Sequence, residues 1–275
     1  MYKLSRNDVL KHNELADSAA QKAYEKGLEK FINAANDQEE YLSAYLYFYR
    51  AYKLGLTGAA YYVAKCFQNG TGKMRSYKAA NKYFLIYASS LPTDKAKQSE
   101  AYYILSQNYR LGHGVEANIE SSNMFLAKSA NSGNNQAQYE LGARLLFGSE
   151  IAQDVKQGIL FLKEATKQHS CNANSFVSGD AQGLLGWCYK EGFGVDKDLE
   201  KSEQYYLAAK AQGNYQGLKA MGENYGEPIS DFSLLENKPY YSGEDIKHQL
   251  YISVLTGQCV VEKQNHPEND LTLTY

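Results

Sequence analysis

The stretch "AQGLLGWCYKEGFGV", residues 181–195, sets a helix-forming run with a glycine at its centre against a Gly-x-Gly turn made by Gly192 and Gly194. The same layout occurs three more times, as "AAYYVAKCFQNGTG" (59–72), "AYYILSQNYRLGHGV" (101–115) and "AQYELGARLLFGSE" (137–150). The first turn glycines are Gly70, Gly112, Gly148 and Gly192, so the spacings are 42, 36 and 44 residues. Self-similarity at a period near 40 suits one helix pair per unit. Six residues before each turn glycine stands a small residue, Ala64, Ser106, Gly142 or Gly186, where a second helix needs room to approach. A second amphipathic run follows each turn, with an aromatic 13 residues after the glycine: Tyr83, Phe125, Phe161, Tyr205.

Taken alone, "QNGTGKMRS" (68–76) suggests a phosphate loop. That motif needs a glycine five positions before its Gly-Lys pair and a Ser or Thr after the lysine. Phe67 and Met74 stand there instead, so Gly70 and Gly72 read as turn residues and Lys73 as incidental.

These landmarks resemble the Sel1-like repeat, a relative of the tetratricopeptide repeat. The fullest match is 179–213, through Ala181, Leu185, Gly186, Tyr189, Gly192, Gly194, Val195, Tyr205, Tyr206, Ala208, Ala209 and Gly213. The unit at 99–133 matches through Ala101, Leu105, Tyr109, Gly112, Gly114, Val115, Lys128, Ala130 and Gly133. Two units depart from the pattern: Ser149 and Glu150 replace the x-Gly of the third turn, and Lys73 and Ile86 replace the usual Val and Lys of the first. The resemblance implies an all-α fold, an α-solenoid in which antiparallel helix pairs stack into a right-handed superhelix, followed by a C-terminal extension. One pair cannot bury its apolar face, whereas stacked pairs share a continuous core.

The expected organisation is an N-terminal capping pair within 1–57, built from "AQKAYEKGLEKFINA" (20–34) and "SAYLYFYRAYKLG" (43–55). The repeat array spans 58–226, with units near 58–98, 99–134, 135–178 and 179–214 and a half unit at 215–226. The stretches 89–97 and 168–180 read as longer turns that lengthen two of the periods. A tail at 227–275 holds a capping helix near 242–257, with Ser242 as its N-cap, and a short strand near 258–263. Truncation after 226 is expected to separate a capping tail from one that occludes the groove.

Composition narrows the function. The 275 residues are 44% apolar and 22% charged, with 25 Tyr against 1 Trp, 22 Gly and 4 Pro. Net charge is −2, the tail carrying −5 and the rest about +3, and neither part looks like a nucleic-acid binder, so no nucleic-acid partner is expected. No signal peptide and no apolar run of membrane-spanning length stands out, which points to a cytoplasmic protein without membrane insertion. Cys66, Cys171, Cys188 and Cys259 form no C-x-x-C pair, and Cys66 and Cys188, at equivalent places in two units, read as packing thiols. His169 and Cys171 lack further ligands at metal spacing, so no metal is expected, and His113 reads as an exposed turn residue or a contact for a partner. No catalytic set and no cofactor fingerprint stands out, so neither catalytic residues nor a cofactor is expected.

The positions that the repeat pattern leaves open form a stripe nine, five and two residues before each turn glycine, on one face of the leading helix. By analogy with related repeats this stripe lines a concave groove. It comprises Tyr61, Lys65 and Gln68; Tyr103, Gln107 and Arg110; Tyr139, Ala143 and Leu146; and Gly183, Trp187 and Lys190, with Lys219 and Glu223 continuing it. Trp187 has Leu146 and Phe147 as its expected neighbours and permits two readings. One is an aromatic anchor for a partner, flanked by Arg110 and Lys190; the other is packing against the aberrant third unit. The partner expected is another protein, bound by a non-catalytic scaffold or adaptor. Family members that neutralise a cognate bacterial toxin make an immunity protein the alternative; a secreted effector or an enzyme with its site in the tail comes behind both.

Overall fold

The computed structural model describes residues 6–90, 92, 94–167 and 175–211. Among them are ten α-helices and no strand: α1 (Arg6–Asn33), α2 (Gln38–Lys53), α3 (Ala59–Asn69), α4 (Tyr77–Ser89), α5 (Lys95–Leu111), α6 (Ile119–Asn131), α7 (Asn135–Phe147), α8 (Val155–Lys167), α9 (Ser175–Glu191) and α10 (Leu199–Ala211). Each odd-numbered leading helix pairs with the trailing helix after it. Each trailing helix then packs on the next leading helix, and α7 also reaches α9. The result is the all-α solenoid that the repeat implies.

The turn after each leading helix has one backbone design. Gly70, Gly112 and Gly148 adopt the left-handed conformation that ends a helix at low steric cost. The amide six residues after each turn glycine donates to the carbonyl three residues before it: Ser76 to Phe67, Asn118 to Tyr109, Asp154 to Leu145 and Asp198 to Tyr189, at 2.8–3.0 Å. The third turn, aberrant in sequence, keeps this clamp. Glu150 there holds a positive φ of 57°, close to the 68°, 70° and 73° of Gly72, Gly114 and Gly194. Ser76 and Asn118 then cap α4 and α6 by accepting an amide N–H through their side chains.

The second glycine of the turn is required by the neighbouring unit. A Cβ on Gly72 would lie 2.3 Å from the Tyr41 carbonyl carbon in α2, and one on Gly114 would lie 2.3 Å from the Lys78 amide nitrogen in α4. The turn thus seats on the first turn of the preceding trailing helix.

Within a unit, the small residue of the leading helix faces a large one on the trailing helix. A Cβ on Gly186 would meet the Tyr206 ring at 2.8 Å, and one on Gly142 would meet Leu162 at 2.9 Å. The landmark aromatics stack across the pair, Phe67 on Tyr83 at 5.9 Å, Tyr109 on Phe125 at 5.4 Å and Tyr189 on Tyr205 at 5.6 Å. In the third unit Leu145 and Phe161 take those places.

Three expectations on element bounds change. The N-terminal leading helix begins at Arg6 rather than near residue 20. The stretches 89–97 and 168–180 are not wholly turns, because α5 starts at Lys95 and α9 at Ser175. These helices have 17 residues each, against 13 for α7, so longer helices account for much of the 42- and 44-residue periods. The half unit 215–226, the tail helix and strand, and the His169 and Cys171 turn lie outside the described residues.

Candidate interaction surface

The leading-helix stripe is stitched from unit to unit through carboxylates. Tyr61 donates its hydroxyl to Glu100 Oε2 at 2.6 Å, and Lys65 Nζ lies 3.0 Å from Glu100 Oε1. One unit on, Gln107 Nε2 donates to Glu140 Oε2 at 2.8 Å, and Tyr103 also hydrogen-bonds to Glu140. Arg110 extends the row by donating to Gln107 Oε1 at 3.0 Å. Burial first, and then the adjoining carboxylates, push the Tyr61 and Tyr103 hydroxyls well above the ordinary tyrosine range.

Burial divides the stripe. Tyr61, Tyr139, Leu146 and Trp187 are 5%, 4%, 0% and 3% exposed, and Ala143 and Gly183 are buried with them, so a partner on this surface cannot reach these six residues. For Trp187 this is a correction with a plain cause. α9 packs on α7 as well as on α8, and the indole lies 5.9 Å from the Phe147 ring and 5.3 Å from the Phe193 ring. Of its two readings, packing against the third unit is the one the geometry carries. Lys65, Gln68, Tyr103, Gln107, Arg110, Phe147 and Lys190 are half-buried and reachable, while Lys219 and Glu223 lie outside the described residues.

Two residues at the centre of this surface escaped the sequence reading. Arg144, 1% exposed, binds Glu140 Oε1 at 2.5 Å, Glu150 Oε2 at 2.9 Å and Asn123 Oδ1 at 2.8 Å. Glu140 is 2% exposed and joins this cluster to Gln107 and Tyr103. Their signal was present in the register. Eight and four residues before the turn glycine, the other units carry Tyr62, Ile104 and Leu184, and Cys66, Asn108 and Cys188; the third unit alone has charges.

Packing accounts for Lys73, Cys66 and Cys188, while His113 is exposed in its turn. Lys73 Nζ sits 5.2 Å from the centre of the Tyr45 ring, a cation–π contact. Gly72 donates its amide to Gln38 Oε1 at 3.0 Å, and Glu39 lines the same shallow depression, an unsuitable setting for phosphate. Cys66 and Cys188 are buried free thiols, pushed by burial up to about 11 and about 12. The His113 ring is stacked on Tyr77 at 4.8 Å. Among the described residues no group of three or more His, Cys, Asp or Glu could hold a metal ion, and no helix is long and apolar enough to cross a membrane.

Fold and surface together define a helical repeat protein of the solenoid class. The Sel1 repeat family model matches residues 57–89, 99–134, 135–170 and 179–214, just over half of the chain, and the chain belongs to that family. It is similar to human protein sel-1 homolog 2, 29% identical over 118 residues, covering 43% of this chain and 16% of that protein. It is also similar to mouse DAP3-binding cell death enhancer 1, 28% identical over 177 residues, covering 64% and 32% respectively. The chain thus spans a third or less of the length of these relatives. Two solved structures share the fold. One is the Sel1 repeat protein from Oxalobacter formigenes, at 27% identity and a TM-score of 0.59, covering 79% of this chain and 59% of that one. The other is c5321, a protective antigen present in uropathogenic Escherichia coli strains, at 22% identity and a TM-score of 0.62, covering 74% and 41%. Sel1 repeat proteins generally mediate protein–protein interaction.

Proposed function

We propose that this chain is a non-catalytic scaffold or adaptor that binds another protein along the leading-helix face. The observation that carries this reading is the row of half-buried polar side chains at repeat spacing, in which Glu100 holds Lys65, Glu140 holds Tyr103 and Gln107, and Gln107 in turn holds Arg110. A surface held this way loses little side-chain entropy on binding, which favours affinity. The name of the mouse relative records binding to another protein, which supports the same reading.

Affinity purification of tagged protein followed by mass spectrometry tests it. A partner recovered with the native chain is expected to be lost from Arg110→Glu and weakened by Lys65→Ala, with little change in melting temperature. A stoichiometric complex with a toxin encoded nearby would convert the adaptor into an immunity protein. Copurification of a small molecule and no protein would overturn both.

A further inference from the structure

Between residues 41 and 93 the chain has seven Lys and Arg and no Asp or Glu. One of the seven, Lys65, points to the leading-helix face and pairs with Glu100. The other six, Arg50, Lys53, Lys73, Arg75, Lys78 and Lys82, are exposed on the trailing helices α2 and α4 and the turn that leads into α4. Apart from the Lys73 contact with the Tyr45 ring, they form no ion pair among the described residues.

These side chains share one surface because aromatic packing joins the helices beneath it. Tyr52 of α2 meets Tyr83 of α4 at 5.5 Å, and Tyr83 stacks on Phe67. The Gly72 turn seats on Tyr41 and Leu42, which brings Lys73 and Met74 beside α2. On α2 the exposed residues Leu42, Leu46, Arg50 and Lys53 follow an i, i+4, i+8, i+11 line, and on α4 Lys78 and Lys82 are one turn apart. Leu42, Leu46 and Met74 are 39%, 55% and 89% exposed.

The later trailing helices differ. α6 exposes Glu120 with Lys128, α8 exposes Lys156, Glu164 and Lys167, and α10 exposes Glu200, Lys201, Glu203 and Lys210. Some of these charges pair, as in Lys167–Glu164 at 2.6 Å and Lys201–Asp198 at 2.8 Å. Glu39 and Glu40, in the first turn of α2, bound the cationic surface on one side, and Glu40 is engaged by Lys30. Unpaired like charges on a chain of net charge −2 repel one another, and an anionic surface of complementary shape would relieve that.

We infer that the outer face of α2 and α4 is a docking surface for an acidic, leucine-bearing segment of a partner protein. Carboxylates of the segment meet Arg50, Lys53, Arg75, Lys78 and Lys82, and its apolar side chains cover Leu42, Leu46 and Met74. Exposed apolar side chains among the cations favour protein over nucleic acid. Binding of single-stranded nucleic acid uses aromatic platforms, whereas Tyr45 is buried and Tyr52 and Tyr83 are spent on contacts between the helices. This surface is separate from the leading-helix face, so either assignment can fail alone.

The test uses the full chain and a fluorescein-labelled peptide of alternating Glu-Glu and Leu-Leu blocks, read by anisotropy. The Lys78→Glu, Lys82→Glu double variant is expected to weaken binding by about tenfold or more, and Leu46→Ser by about threefold. The control Lys156→Glu, Lys167→Glu, with the same change in charge on α8, and Arg110→Glu on the leading-helix face leave it unchanged. If charge reversal lowers the melting temperature, the Ala pair at 78 and 82 shows the same loss at smaller size. Three results would overturn the inference: equal loss in the α8 control, equal binding of the peptide with Ser for Leu, or tighter binding of a thymidine oligonucleotide or of vesicles of phosphatidylcholine and phosphatidylserine.

Discussion

The junction between the second and third units and the junction between the third and fourth meet the same geometric demand with opposite chemistry. In the first, Asn123 of α6 accepts from Arg144 and donates to the carbonyl of Glu150, binding trailing helix, leading helix and turn with polar groups. In the second, the equivalent places are held by Ile159 and Cys188, 4% and 0% exposed in one apolar cluster with Trp187 and Leu184. The junction before both is polar but uncharged: Asn108 donates to Asn81 at 2.6 Å, and Asn81 to the carbonyl of His113 at 2.8 Å. The backbone clamp of the turn is the same in every case. The repeat fixes where groups must meet, and each junction is free to choose what meets there.

Breaking each junction at its centre should give the largest effects. Trp187→Ala removes a side chain that is 3% exposed between Phe147 and Phe193, and is expected to cost about 3–5 kcal/mol, read from denaturant unfolding. Partner binding by molecules still folded should be unchanged, because the indole offers no surface. Arg144→Met leaves Glu140 buried without its cation and should cost about 3 kcal/mol or more. The comparison sharpens with a second substitution: Arg144→Met combined with Glu140→Leu should be more stable than Arg144→Met alone, since the pair is removed whole. No second substitution of that kind exists for Trp187, whose neighbours are already apolar. If the double variant is less stable than the single, Glu140 is held by Gln107 and Tyr103 without its cation.

The contrast also marks how far the sequence could be read. Turn glycines, small residues and landmark aromatics were legible because their roles are fixed by the backbone: a left-handed φ, a close helix approach, a ring that spans the pair. Trp187 was ambiguous because a stripe in one dimension does not say whether the next helix covers it, and α9 lies on α7 as well as α8. Glu140 and Arg144 were overlooked because their partners, Gln107, Asn123 and Glu150, come from three other elements, and charges in a helix ordinarily read as a solvated face. The acid-free run from 41 to 93 stood in the sequence, but a net charge near zero drew attention away from it, and only the fold separates Lys65 from the six cations of the outer face.

A smaller effect is expected at the turns. Gly114 has φ +70° and would place a Cβ against the α4 backbone, so Gly114→Ala should cost about 2 kcal/mol through backbone strain and displacement of the turn. Glu150 occupies the corresponding place at φ 57° and already carries a side chain. Glu150→Ala therefore adds no such strain and loses chiefly the ion pair with Arg144, on the order of 1–2 kcal/mol for a partly exposed partner. Thermal unfolding of the two variants side by side would show it. A cost at residue 150 equal to or above that at 114 would mean that the ion pair, not the close approach of the turn, holds these junctions in register.

Alkaline titration gives the mildest way to separate the junctions. Tyr61 and Tyr103 face Glu100 and Glu140, and burial with the carboxylates raises both hydroxyls in the folded chain. A group with a raised folded pKa keeps its proton longer in the native state than in the unfolded one. The unfolded chain gains by ionising above about pH 10, so the stability tied to these groups is intact below that pH and is lost as pH rises beyond it. Tyr87, pushed up to about 12 mainly by burial, adds to the same limb in the first unit. The third-to-fourth junction has a limb of its own, because burial pushes the Cys188 thiol up to about 12. Native-state hydrogen exchange with rising pH, corrected for the intrinsic rate, should therefore show α3 and α5 losing protection above about pH 10. Tyr61→Phe together with Tyr103→Phe should reduce that loss in α3 and α5 and leave the response of α9 unchanged. Simultaneous loss along the whole chain would show that the units unfold as one cooperative block, whatever chemistry joins them.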